Sequence, residues 1–144
     1  MHKYINNDTF EFVDNVFEVD ELIADTIKVL NKKGYYTRYS CSGHVSDFRI
    51  YELHNDYNIK DNIGYLMDDG SRLIPYTFTT VYVFFDNNYN FQTLPDGFVK
   101  NNNVIEFIID YYIDGVRKKN DDIANEIMFA NRILLEWAMS LSNR

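Results

Sequence analysis

Cysteine is almost missing from this 144-residue chain, and the single copy, Cys41, cannot form an internal disulfide. That usage fits a reducing compartment, because small extracellular domains lean on disulfide frameworks. Proline occurs twice and glycine six times, and no Pro-rich linker, repeat or low-complexity tract divides the chain. Long apolar runs are also missing. None approaches the roughly 20 residues that a bilayer-spanning helix needs, and the N-terminal Met1-His2-Lys3-Tyr4-Ile5-Asn6-Asn7-Asp8 lacks the apolar stretch of a signal peptide. The expectation is a cytoplasmic protein with no membrane partner. Positive charge is scarce: 14 Lys and Arg against 22 Asp and Glu leave a net charge of −8. The only basic run, Arg117-Lys118-Lys119, is followed closely by Asp121 and Asp122. Non-specific binding to nucleic acid needs clustered cations that displace counterions, so that function class is disfavoured. An acidic surface that mimics nucleic acid stays open.

What is present is the material of one globular domain spanning residues 1–144. A chain of this length buries roughly two-thirds of its unfolded surface. Aromatics reach 17%, but Phe, Tyr, Ile, Asn and Lys all have A/T-rich codons, so the raw count carries little recognition chemistry.

The pattern is ambiguous over the first eighteen residues and clear from Asp20. Leu22, Ile23, Thr26, Ile27 and Leu30 recur at helical spacing and predict one apolar stripe. Asp20 and Glu21 at its start and Lys32 and Lys33 at its end suit the macrodipole, and Gly34 supplies the stop. Tyr35 to Cys41 reads as a strand, with Tyr35, Thr37, Tyr39 and Cys41 on one face and Tyr36, Arg38 and Ser40 on the other. Phe48 to Leu53 is a second strand. His54 to Ile74 shows no clear periodicity and reads as a long loop able to close over a ligand. Thr77 to Asp86 is a strong strand. Leu94-Pro95-Asp96-Gly97 has the residue order of a type I turn. Val104 to Ile113 alternates as a half-buried strand, with Ile105, Phe107, Ile109, Tyr111 and Ile113 inward. A long helix follows, capped by Asn120, with a seam of Ile123, Ile127, Ala130, Leu134, Trp137 and Leu141. That seam packs on the sheet or forms part of a homo-oligomer interface. The predicted fold is α+β: a mostly antiparallel sheet of four to five strands, with an N-proximal helix and a long C-terminal helix on one face.

The chemistry concentrates where the first clear strand ends. In Ser40-Cys41-Ser42-Gly43-His44, Gly43 can take positive φ and the successive amides can form an anion-binding nest. Ser40 and Ser42 add hydroxyls, His44 adds a donor that titrates near neutrality, and Arg38 on Ser40's face can reach a phosphate. Tyr39, with Tyr35 and Tyr36, can stack a base. The expected ligand-binding set is therefore Arg38, Tyr39, Ser40, Cys41, Ser42, Gly43 and His44. No catalytic residue is assigned, because a Cys41 nucleophile with His44 as base has no visible orienting group. No metal site is assigned either, because Cys41, His44 and His54 lack a fourth ligand and a recognised spacing. The residues imply no particular cofactor.

Leu30-Asn31 followed by Tyr35-Tyr36-Thr37-Arg38-Tyr39-Ser40-Cys41-Ser42-Gly43-His44 resembles the N-terminal signature of the wybutosine-synthesis methyltransferases. There a helix leads through a Thr-containing strand into a Ser-Cys-Ser-Gly-Arg loop; His44 stands at the position of that Arg. The likeness covers about Asp20 to Val45. The chain also resembles small proteins of low-GC Gram-positive bacteria and their phages that carry a Cys-(Ser/Glu)-Gly-His loop and a later Leu-Pro-x-Gly-Phe segment, here Leu94-Pro95-Asp96-Gly97-Phe98. The first likeness implies a nucleotide-shaped pocket, with S-adenosylmethionine-dependent methyl transfer as an alternative. The second implies a phage-type anti-defence protein that sequesters a host nucleotide signal. The leading expectation is a module binding a small nucleotide-like anion. The third class is an acidic inhibitor of a nucleic-acid-binding host factor.

Overall fold

A computed structural model describes residues 2–4, 18–45, 48–52, 65–66 and 71–144, with side chains described for 20–45 and 76–144. The elements run β1 (His2–Tyr4), β2 (Glu18–Asp20), a 3-10 turn (Glu21–Ile23), α1 (Ala24–Lys32), β3 (Thr37–Cys41), β4 (Phe48–Glu52), β5 (Tyr65–Leu66), β6 (Ser71–Pro75) and β7 (Phe78–Phe85). Then come β8 (Val99–Asn101), β9 (Val104–Asp110), β10 (Tyr112–Ile113), β11 (Val116–Arg117) and α2 (Asn120–Ser140). The architecture is α+β, as predicted, and every strand pair among the described residues is antiparallel. A four-stranded sheet has the order β3-β7-β9-β8, a three-stranded sheet the order β4-β6-β5, and β1-β2 and β10-β11 are two-stranded ribbons. No helix among the described residues is long and apolar enough to cross a membrane.

Alternation along β7 decides which side of the main sheet is covered. Thr79, Val81, Val83 and Phe85 are buried while Phe78, Thr80, Tyr82 and Phe84 are not. The β9 partners follow suit: Ile105 and Ile109 sit opposite Val83 and Thr79 and are buried with them. Both helices bury their seams with this face, joining Ile23, Ala24, Ile27 and Leu30 to Ile123, Ile127, Ala130, Leu134, Trp137 and Ala138 in one core. The α2 seam is thus used within the chain. Asn31 ties α1 to β3: its Nδ2 donates to Thr37 Oγ1 at 2.9 Å and its Oδ1 accepts from Thr37 N at 3.2 Å. Lys33 Nζ donates to the carbonyls of Ala138, Met139 and Leu141 at 3.0, 2.6 and 2.6 Å, satisfying acceptors that the end of α2 leaves open.

Six local expectations change. Leu22 is 47% exposed and lies off the α1 stripe, because residues 21–23 wind as a 3-10 turn that rotates it outward. The register of β3 against β7 slips between Thr37 and Tyr39, leaving Arg38 as the extra residue of a bulge. Thr37 and Ser40 therefore oppose the buried Phe85 and Val83, whereas Tyr39 and Cys41 oppose Phe84 and Tyr82 on the outer face. Simple alternation, which put Arg38 with Ser40 and Thr37 with Tyr39, fails at that residue. Within 54–74, expected as one loop, residues 65–66 and 71–74 belong to strands that pair with each other, and β6 pairs with β4 as well; the rest of the segment lies outside the described residues, as do Phe10 to Phe17. The turn at Pro95 begins one residue later than predicted: Phe98 N donates to Pro95 O at 3.0 Å and Gly97 takes φ +80°, the third position of a type II turn. A Cβ on Gly97 would sit 2.5 Å from the Phe107 ring, so the close approach as well as the dihedral requires glycine. Strand β9 stops at Asp110, and Ile113 is exposed in a ribbon closed by Asp114-Gly115 at φ +52° and +77°. Lys119, not Asn120, is the N-cap of α2; Asn120 Oδ1 accepts from Arg117 Nη2 at 3.2 Å.

Candidate functional site

The Cys-Ser-Gly-His loop leaves the main sheet at the end of β3 and crosses the edge of the core, so one side of it faces packed helices and the other faces outward. Gly43 has φ +90°, and a Cβ there would meet Ile127 Cγ1 at 3.2 Å and Val81 Cγ2 at 3.3 Å. The turn needs glycine for conformation and for room. Ser42 is 6% exposed. Its amide and its hydroxyl both donate to Asp20 Oδ2, at 3.1 and 3.2 Å. Asp20 sits where a cap would sit on the 3-10 turn, yet it makes no side-chain cap bond there. Its Oδ2 accepts from Ser42 instead, a pair of charge-assisted hydrogen bonds that ties the loop to the end of β2.

The remaining loop amides are also engaged. Gly43 N donates to Cys41 Sγ at 3.4 Å and His44 N to Thr79 Oγ1 at 3.0 Å. The loop carbonyls find partners too: Asn131 Nδ2 donates to Ser42 O at 2.9 Å, and Tyr111 Oη donates to His44 O. The anion nest expected from the sequence is therefore not formed. A nest needs amides that converge on open space, whereas here the amides of residues 42–44 are consumed within the fold and a carboxylate stands beside them. Ser42, Gly43 and His44 thus have amide partners within the fold, and the bulge takes Arg38 out of register with Ser40.

The outward side keeps the reactive groups. Cys41 Sγ and His44 Nε2 are 3.3 Å apart, and Cys41, His44, Tyr76, Thr77, Phe78, Thr79 and Thr80 line a hollow of about 240 Å³. Tyr39 is 67% exposed and meets Phe84 edge-on, with centroids 5.8 Å apart; it lies on the outer sheet face and does not line the hollow. Burial pushes the Cys41 thiol above its ordinary pKa; the Gly43 amide opposes this and the Asp20 carboxylate reinforces it. Tyr82, opposite Cys41, is likewise raised, by burial first and then by Cys41 and Asp20. The Cys41 shift runs in the direction that disfavours the thiolate, opposite to the lowered pKa that marks activated cysteines.

Sequence reasoning missed Asp20, Thr79, Tyr111 and Asn131 as partners of the loop. Asn131 left a trace, a polar side chain inside the apolar seam of α2, and it is 4% exposed. Asp20 left none, since its contact with Ser42 spans 22 positions. His54, weighed as a metal ligand, lies outside the described residues; Asp20 is the third donor beside Cys41 and His44. No family model, no curated protein and no solved structure matches the chain.

Proposed function

We propose that the domain is a small-ligand-binding module that holds the planar, base-like part of a nucleotide-like molecule in the hollow beside Cys41 and His44. The observation that carries this reading is the hollow itself: about 240 Å³ lined by the aromatic residues Tyr76 and Phe78, three threonines, Cys41 and the exposed His44. Ligand pockets usually occupy about 300–1,000 Å³, so this one suits a base or nucleoside better than a whole nucleotide. Aromatic rings supply the stacking surface and the hydroxyl and imidazole groups read polar edges, which is how unpaired bases are gripped. The ligand's phosphate lies outside the loop, because the loop amides are engaged and the chain carries −8. This narrows the nucleotide-like anion expected from the sequence to its uncharged end. In a sequestering, anti-defence role the molecule is bound and released unchanged.

A thermal-shift panel of bases, nucleosides and nucleotides tests it. At a concentration a hundredfold above Kd, a true ligand adds about 2.7 kcal/mol of stability. The expected pattern is that base and nucleoside stabilise at least as well as the matching nucleotide, and that Phe78→Ala and His44→Ala each remove the shift. If no member of the panel stabilises the protein, or Phe78→Ala leaves the shift intact, the reading fails.

A further inference from the structure

Three side chains with different donor atoms converge at the outer end of β3. Asp20 arrives from the end of β2, Cys41 from the last position of β3 and His44 from the loop. Each offers one ligand atom, and these atoms all lie within 4.8 Å of one another. On a tetrahedral zinc-type ion, a thiolate sulfur at about 2.3 Å and an imidazole nitrogen at about 2.0–2.1 Å sit about 3.5–3.6 Å apart. Cys41 Sγ and His44 Nε2 are 3.3 Å apart as they stand. Admitting an ion between them needs a displacement of only a few tenths of an ångström.

We propose that Asp20, Cys41 and His44 bind a borderline-soft divalent transition-metal ion of the zinc type through one oxygen, one sulfur and one nitrogen. The donor set selects the class of ion. Calcium and magnesium take oxygen ligands, whereas thiolate and imidazole together favour zinc and its neighbours. The scaffold holds two of the three donors before any ion arrives. Ser42 N and Oγ grip Asp20 Oδ2, and Gly43 N points at Cys41 Sγ, the kind of outer hydrogen bonding that orients metal ligands and sets their affinity. A net charge of −8 favours a cation in the neighbourhood. Cys41 and His44 line the hollow and Asp20 does not. An ion on this set therefore lies at the edge of the hollow with a fourth position left for water or a ligand, the three-ligand, open-site pattern of exchangeable zinc centres. On binding, the Cys41 thiol releases its proton to solvent, and the hydrogen bond between Cys41 and His44 gives way to two metal bonds.

The inference shares Cys41, His44 and the hollow with the base-binding reading but does not depend on it, and it is tested with metal alone. The reduced, chelator-stripped full chain is titrated with Co²⁺ and then with Zn²⁺. Because Cys41 is the only cysteine, a thiolate-to-cobalt absorption band in the near ultraviolet reports this site and no other. The expected result is one ion per chain, the thiolate band together with visible bands of four-coordinate intensity, and displacement by Zn²⁺ with a rise in Tm. Cys41→Ser abolishes the band, and Asp20→Asn and His44→Ala each weaken binding at least tenfold in an indicator competition. The wild-type spectrum decides the matter even if a variant folds poorly. Absence of the thiolate band, a stoichiometry of one ion per two chains, or full-strength binding in both Asp20→Asn and His44→Ala overturns the site. Failure of every base or nucleoside to bind leaves this result untouched.

Discussion

Ile108 and Ile109 are neighbours in β9 with the same side chain, yet Ile109 is 2% exposed and Ile108 is 53% exposed. The difference runs through the whole main sheet. Its inner face is sealed by α1 and α2, while its outer face presents Phe78, Tyr39, Val99 and Ile108 to solvent. The Cys-Ser-Gly-His loop repeats the division within five residues. Ser42 and Gly43 are buried against Asp20, Asn131, Ile127 and Val81, and Cys41 and His44 face the hollow. The residues that make the loop possible are therefore not the residues that give it chemistry, and substitutions on the two sides should behave differently.

The comparison breaks most visibly on the inner side. Ile109→Ala deletes fully packed atoms and should lower unfolding free energy by about 2–5 kcal/mol, read as a shift of the urea midpoint at constant slope. Gly43→Ala comes next. The left-handed conformation costs a non-glycine residue about 1–3 kcal/mol, and the new methyl must displace Ile127 or Val81, so a total loss of about 2–4 kcal/mol is expected. Asp20→Ala leaves the buried Ser42 amide without its acceptor and should cost about 1–3 kcal/mol. A loss under roughly 0.5 kcal/mol at all three positions would mean that the loop is not anchored from below.

These inner contacts explain how far the fold could be read in the sequence. Alternation in Thr77 to Asp86 and the seam from Ile123 to Leu141 are local signals that tertiary packing reinforced, so the sheet, both helices and their shared face were legible. Boundaries shifted wherever a single residue changed the period: the bulge at Arg38 swapped the faces of β3, and Gly97 at a positive-φ position moved the turn. The loop was recognisable as the place where small and reactive residues gather, but the partners of its amides were not. Whether an amide is free to meet an anion depends on partners such as Asp20 and Thr79, separated from it by 22 and 35 positions, and no local pattern announces them.

On the outer side the expected effects move from stability to reactivity. Burial and the Asp20 charge raise the Cys41 pKa, so without added metal the folded thiol ionises at higher pH than the same thiol in the unfolded chain. The folded chain then keeps a proton that the unfolded chain gives up, and stability falls as pH rises past the free-thiol value. Iodoacetamide should modify Cys41 at pH 8 more slowly than it modifies the same cysteine in urea-unfolded chain. Asp20→Asn removes the negative neighbour, lowers the pKa and should speed the reaction. A folded-state rate equal to the unfolded one at pH 8, with no response to Asp20→Asn, would show that neither burial nor the carboxylate acts on the thiol.

The smallest effect is expected at Ile108. Single exposed apolar residues are ordinary on protein surfaces and contribute little to folding, so Ile108→Ala should change stability by no more than about 0.5 kcal/mol, against the several kcal/mol lost at Ile109. The pair makes a controlled test, since the residue type, the strand and the substitution are shared and only the face differs. If Ile108→Ala instead costs more than about 1 kcal/mol and the midpoint depends on protein concentration, the outer face is covered by a second copy of the chain, because a stabilising partner enters unfolding by mass action. The division between a sealed face and an open one would then be a property of the monomer alone.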